Sequence, residues 1–151
     1  MPSGGGGTPP WVEDPLQVFF SDGYKALRAA SPVPICTGEK IEGFRAFFPF
    51  IIEGGIDVLH PDLLWCGGIS GGRKIAELAD HYGVPVALHN CGTLVHNMAN
   101  IHFGACVRNF SMSETRLYER PYIAEMGGLD DYDIVDGKIA VPDGPGLGVE
   151  L

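Results

Sequence analysis

Glu13, Glu39, Asp62, His89 and Glu114 each fall at or just beyond the C-terminal end of a short apolar run. If those runs are parallel strands opening on one mouth, five acid or imidazole groups converge on one pocket. Such a concentration is costly unless a cation or proton chemistry compensates for it. Magnesium prefers near-octahedral oxygen coordination and leaves positions open for substrate oxygens, so Glu13 and Glu39, on adjacent strands, are the natural ligands. A cation held there can bind a substrate carboxylate and stabilise the charge that develops as the neighbouring proton leaves. The group that moves the proton needs a pKa near the working pH, and His89 qualifies. Asp62, one strand earlier, is placed to accept a hydrogen bond from the imidazole, fixing its tautomer and raising its basicity. Glu114, one strand later, is placed to donate to, or share a proton with, an enolate-like oxygen.

Positioning these residues takes β/α units around a parallel sheet, and the chain alternates accordingly. Pro10-Trp11-Val12 ends in Glu13-Asp14-Pro15, and Ser21 or Asp22 caps a helix through about Ala30 that turns Tyr24 and Leu27 inward. Val33 to Cys36 closes at Thr37-Gly38-Glu39; the helix after it, about Gly43 to Glu53, is kinked or shortened by Pro49. Ile56 to Leu59 leads through His60-Pro61-Asp62 to a helix opened by Ser70. Its Ile75, Leu78, Ala79 and Tyr82 follow the i, i+3, i+4, i+7 rule, and Gly83 ends it. Val84 to Leu88 delivers His89, and a helix near Leu94 to Cys106 returns the chain to a fifth strand ending around Glu114.

From Tyr118 onward helical periodicity is lost, and Asp136-Gly137 between Ile134-Val135 and Lys138-Ile139-Ala140-Val141 signals a hairpin. Pro142 to Leu151 is Pro/Gly-rich and is expected to extend against something else. The chain thus divides into a flexible leader over residues 1–10, a partial β/α barrel over 11–117 and a tail with a β-hairpin over 118–151.

Among 151 residues, 45% are apolar and 19% charged, a composition that predicts a folded globular chain. A formal charge of −9, with ten scattered Lys and Arg, leaves no basic stripe and argues against nucleic acid as a partner. Cys36, Cys66, Cys91 and Cys106 show neither CxxC spacing nor the density of a secreted scaffold, so reduced thiols in a cytoplasmic protein are expected. No apolar run approaches the roughly 18 residues of a membrane span, and no basic n-region precedes an apolar core at the N-terminus, so no membrane partner is expected.

At the residues named above, the sequence resembles the enolase superfamily, and within it the mandelate racemase and muconate lactonizing enzyme group that includes acid-sugar dehydratases. WVEDP (Trp11 to Pro15) resembles the family's strand-four metal motif, with Asp14 in place of the more common second glutamate. TGEK (Thr37 to Lys40) is similar to its strand-five Gly-Glu. HPDLLWCGGIS (His60 to Ser70) is similar to its strand-six segment, VPVALHN (Val84 to Asn90) to strand seven, and the terminal PDGPGLGVEL to the usual ending.

The resemblance implies a TIM-type (β/α)7β barrel of which this chain supplies about strands 4–8, with the α+β capping domain and the first barrel strands absent. Sheet edges are then exposed unless something completes them. It also implies a Mg2+ site on Glu13 and Glu39, a general-base dyad of Asp62 and His89, and Glu114 at the strand-eight acid position. A third metal ligand and a strand-two base lie outside this sequence. The implied reaction is dehydration of an acid sugar of the galactonate or gluconate type, in which His89 protonates the departing β-hydroxyl. Two alternatives stand beside it: a racemase or epimerase, and a silent fragment that folds only with a partner chain. A small carboxylate substrate and a homo-oligomer are the expected partners.

The other candidates carry plainer expectations. His81 lies at an exposed helix end, and His96 and His102 are packing or surface residues. His60 is expected to point away from the pocket, and Cys66 and Cys91 to be buried, inert thiols. Lys40 is a candidate contact for a substrate carboxylate. The paired glycines from Gly67 to Gly72 lack the GxxxxGK[ST] pattern of a phosphate loop.

Overall fold

The computed structural model describes residues 9–115 and 134–148. Five short strands, β1 (Val12–Glu13), β2 (Ile35–Thr37), β3 (Val58–Leu59), β4 (Val86–Leu88) and β5 (Phe110–Ser113), form one sheet in the order of the sequence. Every neighbouring pair is parallel, so each strand must be reached by a crossover. Four helices, α1 (Asp22–Ala30), α2 (Phe48–Ile52), α3 (Gly68–His81) and α4 (Leu94–Cys106), supply the crossovers. This is the α/β class with a parallel sheet that the alternation predicted, and β1 and β5 are its edges among the described residues.

Side chains alternate between the two faces of each strand, and here one face is helical core while the other forms the inside of the curve. Ile35, Leu59, Val86 and Leu88 turn outward and pack with Tyr24, Phe47, Phe50, Ile75, Ala79 and Phe103 in one buried cluster. Each fully buried side chain of this kind contributes roughly 1.5–3 kcal/mol. Cys36, Val58 and Ala87 turn the other way and meet Trp11 in a separate small cluster. Register extends this inner row, because Glu13 stands opposite Cys36, Cys36 opposite Val58, and Ala87 opposite Met112.

The helices follow their local chemistry with a few shifts. Pro49 cannot donate a backbone hydrogen bond, and the segment breaks there: a 3₁₀ turn at Phe44–Phe47 gives way to α2, with Pro49 in its first turn. Helix α3 starts at Gly68, before Ser70, because Gly67 takes a left-handed φ of 106° that turns the chain into it. Tyr82 caps that helix and is half-exposed instead of facing inward as expected, while Ile75, Ala76 and Ala79 form the helix's buried face.

In the tail, Asp136 and Gly137 have φ of 50° and 72°, and Val135 and Lys138 exchange both backbone hydrogen bonds at 2.9 Å, as a tight two-residue hairpin requires. Ile139 and Leu147 pack on Leu94, Met98 and Ile101 of α4, and the Nε2–H of His102 donates to the Leu147 carbonyl at 3.2 Å. The extended stretch therefore lies against α4. Residues 1–8 of the expected leader, 116–117 at the end of the expected barrel, and 118–133 and 149–151 of the expected tail lie outside the described residues. No helix among the described residues is long and apolar enough to cross a membrane.

Candidate active site

Period-two alternation carries the inner row past the strand ends into the mouth. Glu13 closes β1, His60 and Asp62 continue from Val58, His89 continues from Ala87, and Glu114 continues from Met112. Glu39 arrives by a different route. Gly38, with a φ of 146°, presses against the backbone of His60, where an added Cβ would stand 2.9–3.0 Å from its atoms, and the chain then turns Glu39 toward the same opening. All five residues singled out in the sequence thus face one mouth.

At its centre is His89. Its Nδ1–H donates to Asp62 Oδ2 at 2.7 Å, while its Nε2 lies 3.2 Å from Glu39 Oε2 and 3.8 Å from Glu114 Oε2. The hydrogen bond to Asp62, helped by the charges of Glu39 and Glu114 and opposed by burial, raises the His89 pKa above its ordinary value. Asp62 is wholly buried. Burial works to raise its carboxyl pKa, but the bonds from His89 and from the Leu64 N–H at 2.7 Å outweigh it and hold Asp62 below the usual carboxylate value.

Asp14, beside Glu13, sits at a φ of 43°, an uncommon conformation for a residue with a Cβ. Its carboxylate accepts the Thr37 hydroxyl at 2.6 Å and Lys40 Nζ at 2.8 Å, and these bonds outweigh burial and keep its pKa low. Lys40 also reaches Glu39 Oε1 at 2.6 Å. It is therefore engaged with two carboxylates of the chain itself and holds Glu39 in place. On the far side, Asn90 donates its backbone N–H to Glu114 Oε2 at 3.0 Å and its side-chain amide to Asn97 of α4 at 2.8 Å, fixing the end of β5.

Two histidines belong to this site against expectation. His60 was expected to point away; it lies two residues from both Val58 and Asp62, so alternation puts all three on the inner face. Its side chain is 1% exposed, and its Nε2 stands 3.7 Å from both Glu13 Oε2 and Glu114 Oε2. The ring meets His89 edge to face with centroids 5.6 Å apart. His96, on α4, is buried with its Nε2 3.4 Å from Asp62 Oδ1, and burial lowers its pKa. Cys91 is exposed, unlike Cys66, whose thiol pKa burial pushes up to about 12.

The donor set suits a divalent cation. Glu13, Glu39 and Glu114 bring three carboxylates to one opening, and the sole lysine reaching it, among the described residues, is shared between Glu39 and Asp14. Two tighter groupings also have ligand atoms within 4.8 Å of one another: Glu13 with Cys36 and His60, and Asp62 with His89 and Cys91.

The chain is similar to known proteins. The chain is 33% identical over 148 residues to D-galactarolactone cycloisomerase of Agrobacterium fabrum, spanning 93% of this chain and 39% of that protein. It is 33% identical over 143 residues to D-xylonate dehydratase of Haloferax volcanii, spanning 93% of this chain and 34% of that one. The chain therefore spans well under half the length of these curated relatives. Among solved structures, a member of the enolase superfamily from Polaromonas sp. JS666 superposes with a TM-score of 0.84 at 33% identity, over 93% of this chain and 38% of that one. Residues 6–151 match the family model for enolase C-terminal domain-like proteins, and the chain belongs to that family, the one shared by mandelate racemase and muconate lactonizing enzymes.

Proposed function

We propose that the protein of which these residues form the mouth removes the proton next to a substrate carboxylate with the help of Mg2+, and that its reaction is the dehydration of an acid sugar. The observation that carries this reading is His89, buttressed by Asp62 at one nitrogen and facing Glu39 and Glu114 with the other. Glu13 and Glu39 are the ligands assigned to the metal. What a divalent cation supplies at such a place is positive charge to hold the substrate carboxylate and offset the charge that develops on it.

The residues of the chain do the rest. Asp62 keeps a proton on His89 Nδ1, so Nε2 is the atom that exchanges protons with substrate. Because the His89 pKa is raised, more of the ring is imidazolium at a given pH than in a free histidine, which suits a general acid that protonates a departing β-hydroxyl. Lys40 orients Glu39, and Asn90 orients Glu114. The base that acts on the opposite face of the substrate lies outside the described residues. A small sugar carboxylate is the proposed substrate class, supported by the dehydratases among the relatives. Strands 4–8 of a TIM-type barrel are the proposed place of this chain in the complete fold, in a homo-oligomer.

An isomerase reading is supported by the likeness to a cycloisomerase. There His89 returns a proton to the carbon that lost one. Incubating the complete protein with a panel of sugar acids in deuterated water separates the two. Loss of water yielding a keto acid supports dehydration, deuterium uptake without water loss supports isomerisation, and neither outcome with any acid sugar overturns the proposal.

A further inference from the structure

The inner face holds a second set of donors with a different chemistry. Glu13, Cys36 and His60 come from three neighbouring strands, and their ligand atoms lie within 4.8 Å of one another. Glu13 and Cys36 are direct partners across β1 and β2, and His60 follows Val58, the partner of Cys36 on β3. The three are thus adjacent in one row.

His60 shows that the row is incomplete as it stands. Its Nδ1 lies 3.0 Å from the Ala87 carbonyl, which can only accept, so Nδ1 is the donor and Nε2 is the nitrogen turned toward Glu13 and Glu114. That atom is buried and has no hydrogen-bond partner. It stands 3.7 Å from Glu13 Oε2 and from Glu114 Oε2, beyond hydrogen-bond distance of either. A metal ion between them would give this nitrogen the partner it lacks.

The geometry points to a transition-metal site formed by Glu13 Oε2, Cys36 Sγ and His60 Nε2, with Glu114 as an available fourth ligand, that prefers Zn2+ or Co2+ to Mg2+. Nitrogen and sulfur donors select the borderline first-row ions, whereas Mg2+ takes oxygen. Zn–S near 2.3 Å and Zn–N near 2.0 Å ask for ligand atoms roughly 3.3–3.5 Å apart at tetrahedral angles, within a small side-chain adjustment of the present positions. The metal displaces the thiol proton of Cys36 to solvent. The site shares Glu13 with the Mg2+ reading but does not rest on it, since Cys36 and His60 supply the discriminating ligands.

The test is Co2+ titration of the metal-free complete protein, followed by absorption. A near-ultraviolet thiolate-to-cobalt charge-transfer band is expected, lost in Cys36→Ser and retained in Cys91→Ser. His60→Gln should weaken Co2+ binding by about 10- to 100-fold, at least the cost of losing a supporting contact, and leave Mg2+ affinity within a few-fold. Glu39→Gln should weaken Mg2+ and keep the cobalt band, so failure of the oxygen site is read separately from failure of this one. X-ray absorption of the zinc-loaded wild type needs no variant, and should show one sulfur near 2.3 Å with nitrogen or oxygen near 2.0 Å. A zinc shell without sulfur, a cobalt band lost with Cys91 instead of Cys36, or equal affinity for Co2+ and Mg2+ would overturn the proposal.

Discussion

His89 donates its Nδ1–H to Asp62 Oδ2 across 2.7 Å, and Asp62 has no exposure to solvent. A buried carboxylate next to an imidazole fixes which ring nitrogen carries the proton and raises the ring's basicity. Replacing Asp62 with Asn removes the charge and keeps the shape. The His89 pKa should then fall, and turnover should drop by about 10²- to 10⁴-fold. Imidazole NMR titration of wild type and Asp62→Asn checks the first point; an unchanged His89 midpoint would refute it.

The same pair makes stability depend on pH. His89 is raised from its ordinary 6.5, so its contribution is complete below that value and is lost as pH rises through the folded pKa. Asp62 is lowered from 3.8, so its contribution is complete above that value and is lost as pH falls through the folded pKa. The stability gap between wild type and Asp62→Asn should be widest from pH 3.8 to 6.5 and shrink on both sides. Urea denaturation of both proteins across that range measures it.

His89→Asn should abolish the imidazole's proton transfer while the carboxylates of Glu13 and Glu39 stay in place. Turnover should fall by about 10²- to 10⁴-fold with Mg2+ affinity little changed. Kinetics alongside calorimetric Mg2+ titration tests this; unaltered turnover would remove His89 from the mechanism.

Chelation with EDTA should stop the reaction, and added Mg2+ should restore it. Glu39→Gln keeps the side-chain volume but weakens the ligand and the Lys40 bridge, so the Mg2+ needed for half-activity should rise by about 10- to 100-fold. Activity that survives exhaustive chelation would contradict the metal assignment.

Gly38→Ala should be costly out of proportion to its size. The φ of 146° disfavours any Cβ, and the new methyl would meet the backbone of His60, which cannot rotate away. A loss of about 1–3 kcal/mol in urea denaturation is expected.

Much of this was legible because strand alternation and turn chemistry are local. Helix α4 was bounded correctly from Leu94 to Cys106, and the break at Pro49 followed from a missing N–H. Asp62 and His89 were legible as strand-end residues. His60 was missed although its parity with Asp62 was in the sequence, where period two already placed both on one face. His96 had no such signal: its approach to Asp62 depends on how α4 packs over the mouth, a long-range relation that no spacing encodes. The docking of Leu147 on α4 was hidden for the same reason.

Each strand lends the mouth one or two side chains, and no two neighbouring strands can part without breaking it. A molecule gripping those side chains therefore acts as a rivet through the whole sheet. Ligand at 100 times its Kd adds about 2.7 kcal/mol to global unfolding, and amide exchange should slow in β2 and β4 together rather than at the contact residues alone.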